Sequence, residues 1–485
     1  MHPEAPTGTT QNPQTASVPT TGAAEPAPQP VPQPGPPGIA GDVPQPGPPE
    51  ITGDVPPAAP PAPPRAEVAA AFAPLLRIAL GERLPVRFQF WDGSGTGPLD
   101  GPGTVHVRSA DAVRRMMWAP GELGLGRAYV AGDIDLTGDI FTVMRALVTA
   151  APRDARLGWD AAVTALKVCK QLGVLGLPPR PPAEEARQRG WLHSLRRDAQ
   201  AISHHYDVGE DFYRLVLGRS MTYSCARFSN DATSLAAAQR AKHELICRKL
   251  GLADKPGARL LDVGCGWGSM ALHAATVHGA RVVGVTISRS QAETARKRVA
   301  EAGLADRVEI RLQDYRELRG ETFDAISSIG MFEHVGAGRA AEYFAALRGL
   351  LRPHGRLLNH AISSVGGSRI GPRTFLGRYV FPDGELLDVG ETQLIMQRAG
   401  FEIRDVESLR EHYARTLRAW VANLDAEWDR AVSLVGVARA RIWRLYMAGS
   451  ALGFIDGGIS VHQVLGVVPD PEGGSGMPAT RRSWG

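Results

Sequence analysis

The sequence predicts an α/β protein built on a doubly wound parallel sheet, and three observations carry that expectation. From roughly residue 240 the chain repeats apolar strand, glycine turn and helix. One turn, "LDVGCGWG" at 261–268, puts glycines 264, 266 and 268 at a strand's C-terminal end. Glycine permits the tight turn and lets a ligand approach bare backbone. A later strand, in "SSIGMFEHVGAG" (327–338), runs directly into Glu333 and His334. Charged groups there are costly unless something uses them.

Of the chain's 38 prolines, 21 fall in the first 64 residues, which hold no aromatic residue and repeat twelve residues, "VPQPGPPGIAGD" then "VPQPGPPEITGD". Such a segment cannot bury a core, so residues 1–65 are expected to be a disordered, partly polyproline tail. Residues 66–150 read as a small α+β domain. "EVAAAFAPLLRIAL" and "ADAVRRMMWA" have helical periodicity, "VRFQFWDG" and "GTVHVRS" alternate as strands do, and "GELGLGRAYVAGDIDL" reads as a glycine-punctuated turn into a strand. Residues 151–200 are a helical linker containing the proline-rich stretch around 176–190. It ends in "WLHSLRRDAQAISHHYD", where Arg187, Arg189, Arg196 and Arg197 flank Trp191 and Leu192. That pattern suits an amphipathic helix on anionic lipid or, equally, a solvated linker helix.

The main domain, 201–468, supplies five strands: "ARLLDVG", "RVVGVTIS", "RVEIRLQ", "FDAISSIG" and "GRLLNHAIS". Helices are expected at "SMALHAATVHG", "RSQAETARKRVAEAG" and "AEYFAALRGLLRPHG", and residues 469–485 form a short tail.

Composition bounds the function. At 485 residues and 43% hydrophobic, the chain can fill two or three cores. The net charge of +4 hides an asymmetry, because residues 1–64 carry five acidic residues and no basic ones. The basic remainder suits an anionic surface such as phospholipid, though ordinary solubility explains it as well, and nothing indicates a nucleic-acid partner. Cys169, Cys225, Cys247 and Cys265 show neither a CxxC pair nor a zinc-ligand spacing, so no metal is expected and the thiols read as reduced. No apolar run approaches the ~18 residues of a membrane span. The N-terminus lacks the pattern of a signal peptide, so a cytoplasmic location is expected.

The glycine turn alone is weak evidence for a nucleotide site. Its context sharpens it, because Asp262 precedes the turn within the strand, as in S-adenosylmethionine (SAM) methyltransferases. After the second strand, where many nucleotide sites carry an acid, this chain has the neutral Thr286, Ser288 and Gln291, which can still bond a ribose. After the third strand, Gln313 and Asp314 suit an adenine amine and Tyr315 offers a stacking face.

"HHYDVGEDFYRLVLGRSMTYSCARF", "GVTISRSQ", "SIGMFEHVG" and "HYARTLRAW", in that order, resemble the cyclopropane-fatty-acyl-phospholipid synthases and mycolic-acid methyltransferases. The resemblance covers about 200–468 and, more loosely, the N-terminal unit. It implies a Rossmann-like class I SAM methyltransferase domain, with a mostly helical lid over 363–440 covering an acyl channel. It also implies methyl transfer from SAM to the double bond of an unsaturated phospholipid acyl chain at the membrane surface. The carbocation formed there is deprotonated by bound bicarbonate, closing a cyclopropane. Cation–π walls for it are offered by Tyr223, Phe332, Tyr379 and Tyr413. Bicarbonate falls to Cys225 and Ile362, mainly through backbone, and to the side chains of Glu333, His360 and Tyr413. SAM contacts fall to Tyr206, Tyr223, Ser224, Asp262, Gly264, Gly266, Thr286, Ser288, Gln291, Gln313, Asp314, Tyr315 and Ile329. His334 reads as a packing or capping residue. Ser450 stands where several family members have cysteine, a loss tolerable in a reaction that needs no enzyme nucleophile. A homodimer is compatible with the family. A mid-chain methylene or methyl-branched product, a soluble small-molecule acceptor and a non-enzymatic lipid-binding role stay open as alternatives.

Overall fold

The computed structural model describes residues 67–151, 159–185, 208–371, 373–382 and 384–484. The proline-rich tail, the basic segment 187–205 and Tyr206 lie outside the described residues.

The N-terminal unit is a four-stranded sheet of β1 (Arg87–Phe90), β2 (Gly95–Thr96), β3 (Gly103–Val107) and β4 (Ile134–Gly138), in the order β2-β1-β3-β4. Helices Val68–Leu80, Ala110–Trp118 and Ile140–Ala150 cover it, and Val168 and Cys169 of helix Trp159–Gln171 join the same core. Ser109 and Asp139 cap two of these helices through their side chains. One expectation is corrected. "GELGLGRAYV" is not a turn: Glu122–Val130 is a helix. Its glycines serve packing, since a side-chain carbon on Gly126 would collide with the Phe375 ring and one on Gly124 with the Ala119 carbonyl. Only Gly121, at φ +91°, needs the left-handed region.

The main sheet has seven strands: β5 (Arg259–Val263), β6 (Arg281–Thr286), β7 (Val308–Leu312), β8 (Phe323–Ile329), β9 (Leu351–Ser363), β12 (Glu402–Ser408) and β13 (Ser460–Val467). Two short strands, β10 (Ser368–Arg369) and β11 (Glu385–Leu386), pair with each other outside it. The order is β12-β13-β9-β8-β5-β6-β7. The five expected strands are all parallel, and β12 and β13 add an antiparallel edge beyond β9. Strand order reverses between β5 and β8, and ligands of such sheets bind at the carboxyl ends beside that switch point.

The expected helical cover is corrected in part, because β12 belongs to the sheet. Helices Arg410–Ala426, Trp428–Val435 and Val437–Ile455 form the rest, and they share a core with Phe212, Tyr213 and Trp267. Arg441 ties the last helix to the N-terminal unit, donating from Nε to the Tyr129 carbonyl (2.7 Å) and from Nη2 to that of Ile134 (2.7 Å). At the antiparallel edge the buried Lys249 ammonium lies 2.8 Å from Asp405 Oδ2, donates to Gln463 Oε1 at 2.9 Å and also meets Glu407. That cluster fastens helix Leu235–Lys249 to β12 and β13. Among the described residues no helix is long and apolar enough to cross a membrane.

Candidate active site

A cleft opens at the carboxyl ends of β5, β6 and β8. At its base Gly264 (φ +71°) and Gly266 (φ +54°) turn the chain, and the amides of Gly264 and Cys265 both donate to the Val285 carbonyl at 3.0 Å. A side-chain carbon on Gly264 would press on Met331 at 3.2 Å, so glycine keeps this approach open.

Two groups of opposite charge line the cleft. Asp262 is buried; its Oδ1 accepts from Ser327 Oγ at 2.7 Å, while Oδ2 has no hydrogen-bond partner among the described residues. Burial pushes its pKa up to about 6. Lys242, fully buried on helix Leu235–Lys249, donates to Ser224 Oγ at 3.0 Å, and burial lowers its pKa to about 7. An under-satisfied carboxylate and an under-satisfied ammonium in one dry cleft suit a ligand bearing both charges. Lys242 was missed from sequence, because "AKHELICRKL" reads as an ordinary charged helix.

Of the expected SAM residues, Tyr223, Ser224, Asp262, Gly264, Gly266, Thr286, Gln291, Gln313, Asp314, Tyr315 and Ile329 line this cleft. Thr286 Oγ1 donates to Gln291 Oε1 at 2.9 Å, so the two neutral side chains hold each other. Ser288 instead caps helix Arg289–Glu301 by accepting from the Gln291 amide, 3.3 Å away. Both Asp314 oxygens are taken by Arg316, at 2.9 and 2.7 Å. The loop bearing Tyr223 and Ser224 starts at Met221, whose φ of +51° is strained for a non-glycine residue. Gln239 holds that loop by donating to the Ser224 carbonyl at 2.9 Å.

The residues expected to hold a base form a second group, and none of the five lines the cleft itself. Glu333 lies in a 3-10 turn between Met331 and His334, which do line it. Its Oε1 accepts from the Ile362 amide at 2.8 Å, and Oε2 is buried without a partner among the described residues. Burial raises its pKa to about 7. His360 and Ile362 share one face of β9, two residues apart. His360 Nδ1 meets Gln463 Nε2 at 3.3 Å, and its Nε2 is likewise buried and unpartnered. Burial, with Lys242 and Lys249 nearby, holds this ring well below the ordinary histidine range, so it is neutral. The Cys225 thiol is buried and bonded to the Ala226 (3.2 Å) and Leu409 (3.5 Å) carbonyls, and burial pushes its pKa far up, away from nucleophilic use. Tyr413 packs on Phe454 (4.7 Å between ring centres) and edge-on to Trp420 (6.1 Å).

An aromatic wall joins the two groups. Tyr223 lies 5.3 Å from Trp420, 5.6 Å from Trp443 and 5.8 Å from Tyr213, with its hydroxyl 2.9 Å from that of Tyr446. Of the four aromatics expected around a cation, Tyr223 and Tyr413 belong to this wall. Tyr379 packs at a tilt against Phe375 with its hydroxyl donated to Glu185 (3.2 Å), and Phe332 packs against Phe344 and Tyr343 in the other core. Trp420, Trp443, Tyr213 and Tyr446 were missed, although Tyr413 and Trp420 stand seven apart on one helix, a spacing that puts both on one face.

Fold and cleft together define a SAM-dependent methyltransferase, and the comparisons narrow the class. Residues 193–464 match the family model described as mycolic acid cyclopropane synthetase. A probable fatty acid methyltransferase of Mycobacterium tuberculosis is 42% identical over 419 residues, covering 82% of this chain and 94% of that one. The cyclopropane-fatty-acyl-phospholipid synthase of Escherichia coli K12 is 33% identical over 372 residues, 77% of this chain and 88% of that one. The crystal structure of a mycolic acid cyclopropane synthase in complex with SAH and CTAB superposes with a TM-score of 0.52 at 34% identity, covering 55% of this chain and 97% of that one. The chain belongs to the cyclopropane synthase family of SAM-dependent methyltransferases.

Proposed function

We propose that this enzyme transfers a methyl group from SAM to the double bond of an unsaturated phospholipid acyl chain, and that a proton is then lost to close a cyclopropane. The observation that carries the reading is a pair of buried atoms without partners among the described residues, Glu333 Oε2 and His360 Nε2, on elements adjoining the cleft and its aromatic wall. SAM supplies an electrophilic methyl group. Asp262 Oδ2 would accept from its ammonium, and Lys242 with Ser224 would hold its carboxylate. Replacing Asp262 by asparagine keeps the bond from Ser327 but removes the charge. A charge-assisted bond is worth about 1.5–3 kcal/mol. Calorimetric titration should therefore show SAM binding weakened by roughly 10–100-fold. Unchanged affinity would remove Asp262 from the site.

An alkene is a poor nucleophile, so the protein's contribution is positioning and protection. The Tyr223, Trp420 and Trp443 faces favour a nearby cation, and the helices behind them keep water out. Glu333 Oε2 and His360 Nε2, both without partners among the described residues, would hold bicarbonate, which would supply the base. Neutral His360 can donate to such an anion, and Glu333 can take up its proton. Tyr413, the backbone of Cys225 and that of Ile362 complete the proposed set, although the Ile362 amide is already bonded to Glu333. Activity should fall several-fold in carbon-dioxide-free buffer and return with added bicarbonate; indifference to bicarbonate would exclude it as the base.

Membrane association at the protein surface follows from the proposed substrate. A second reading, a methylene or methyl-branched product, is favoured by the naming of the Mycobacterium tuberculosis relative as a fatty acid methyltransferase. Catalytic hydrogenation of the product under mild conditions separates them, since a methylene takes up hydrogen and a cyclopropane does not.

A further inference from the structure

Helices Leu235–Lys249 and Ser269–His278 bring together Cys247, His273 and His278, with the sulfur and one ring nitrogen of each histidine all within 4.8 Å of one another. Glu244, one turn before Cys247, adds a carboxylate to the same place. Its Oε2 lies 2.9 Å from His278 Nε2 and 3.3 Å from His273 Nε2, while Oε1 accepts from Arg248 at 2.8 Å. We propose that this cluster binds one divalent transition-metal ion, with zinc as the best fit.

The donor types carry the argument. A thiolate and two imidazoles, with a carboxylate in contact with both rings, is a set that zinc takes in four-coordinate sites and that calcium or magnesium does not favour. Glu244 Oε2, which meets Nε2 of both rings, is placed to be the fourth ligand, and Arg248 holds the other oxygen. Metal–ligand bonds of about 2.0–2.3 Å require the three donor atoms to draw in from their present spacing. Side-chain rotation on two packed helices supplies that movement. Access is graded in the right sense, since Cys247 is fully buried while the side chains of His273, His278 and Glu244 are 12%, 7% and 28% exposed. An ion enters from the carboxylate side and meets the sulfur last, and the thiol proton leaves to solvent as the metal–sulfur bond forms.

The consequence is mechanical. Helix Leu235–Lys249 also carries Gln239 and Lys242 to the Ser224 loop, and helix Ser269–His278 starts from the glycine turn. A metal clip between them would stiffen two walls of the cleft without touching the reacting atoms.

The test is a cobalt titration of the full-length protein, stripped with chelator and kept in a non-thiol reductant. One equivalent of Co²⁺ should give a thiolate-to-cobalt band in the near ultraviolet and strong tetrahedral bands in the visible, both bleached by Zn²⁺. Cys247→Ser should lose the ultraviolet band. His273→Gln and His278→Gln, nearer the surface and safer for the fold, should each weaken binding roughly tenfold or more. Zn²⁺ should raise the unfolding temperature of the parent protein and not of His278→Gln. Absence of the thiolate band from the parent protein, or equal cobalt affinity in both histidine variants, would overturn the site.

Discussion

Replacing Glu333 by glutamine lowers turnover by roughly tenfold at the least, towards the ~10²–10⁴-fold typical of general-base catalysis, while SAM affinity stays near that of the parent enzyme. The carboxylate is buried, one oxygen accepts from the Ile362 amide, and the other has no partner among the described residues. Glutamine preserves the shape and can still accept from Ile362, so the lost capacity is the uptake of a proton. The pH profile is the second readout. Burial raises the Glu333 pKa to about 7, so the basic form grows as pH rises through that value. Turnover should therefore climb from the acid side and level off above it, and this limb should vanish in the glutamine variant. Near-normal turnover with an unchanged pH profile would end the role assigned to Glu333.

Replacing Lys249 by methionine costs about 3–5 kcal/mol of stability, the usual penalty for removing one partner of a buried ion cluster. Asp405 is buried and would keep only the outer Arg481 contact at 3.2 Å, and Gln463 Oε1 would lose its donor. Methionine fills most of the lysine's volume, so the loss measures the uncompensated carboxylates more than a cavity. Urea unfolding monitored by tryptophan fluorescence reads it directly. A change under about 1 kcal/mol would mean that the edge of the sheet relaxes to let water reach Asp405.

The same cluster explains where sequence reasoning stopped. The inner parallel strands were legible as largely apolar runs, as strands covered on both faces must be, and the edge strand β7 as the alternation of "VEIRL". β12 was not, because "EIRDVES" buries an aspartate whose cation arrives from a helix more than 150 residues earlier in the chain. No local pattern encodes that partner. β13 follows the long helix Val437–Ile455 through an Asp-Gly-Gly turn that marks a break in the chain but not the partner, and it pairs back onto β9, a distant connection. Glycine misled in the opposite direction at 122–130, where it permits close helix packing rather than a turn.

The cleft was more legible than the wall around it. Glycines, Asp262 and the residues after β6 and β7 occupy fixed places in a strand–turn–helix plan, so one motif locates many contacts. Lys242, Trp420 and Trp443 come from helices that read as ordinary amphipathic segments, and only tertiary packing turns them inward. The proline-rich tail and the basic segment at 187–205, read equally as a lipid-facing or a solvated linker helix, lie outside the described residues.

The central claim, that the acceptor is a lipid double bond, is tested by incubating the purified protein with SAM and vesicles of oleoyl phospholipid, then weighing the released acyl chains by mass spectrometry. Oleoyl chains should come out heavier by one carbon and two hydrogens, with no gain on saturated chains. Unmodified oleoyl chains from a protein that still binds SAM would contradict it and direct attention to a soluble acceptor.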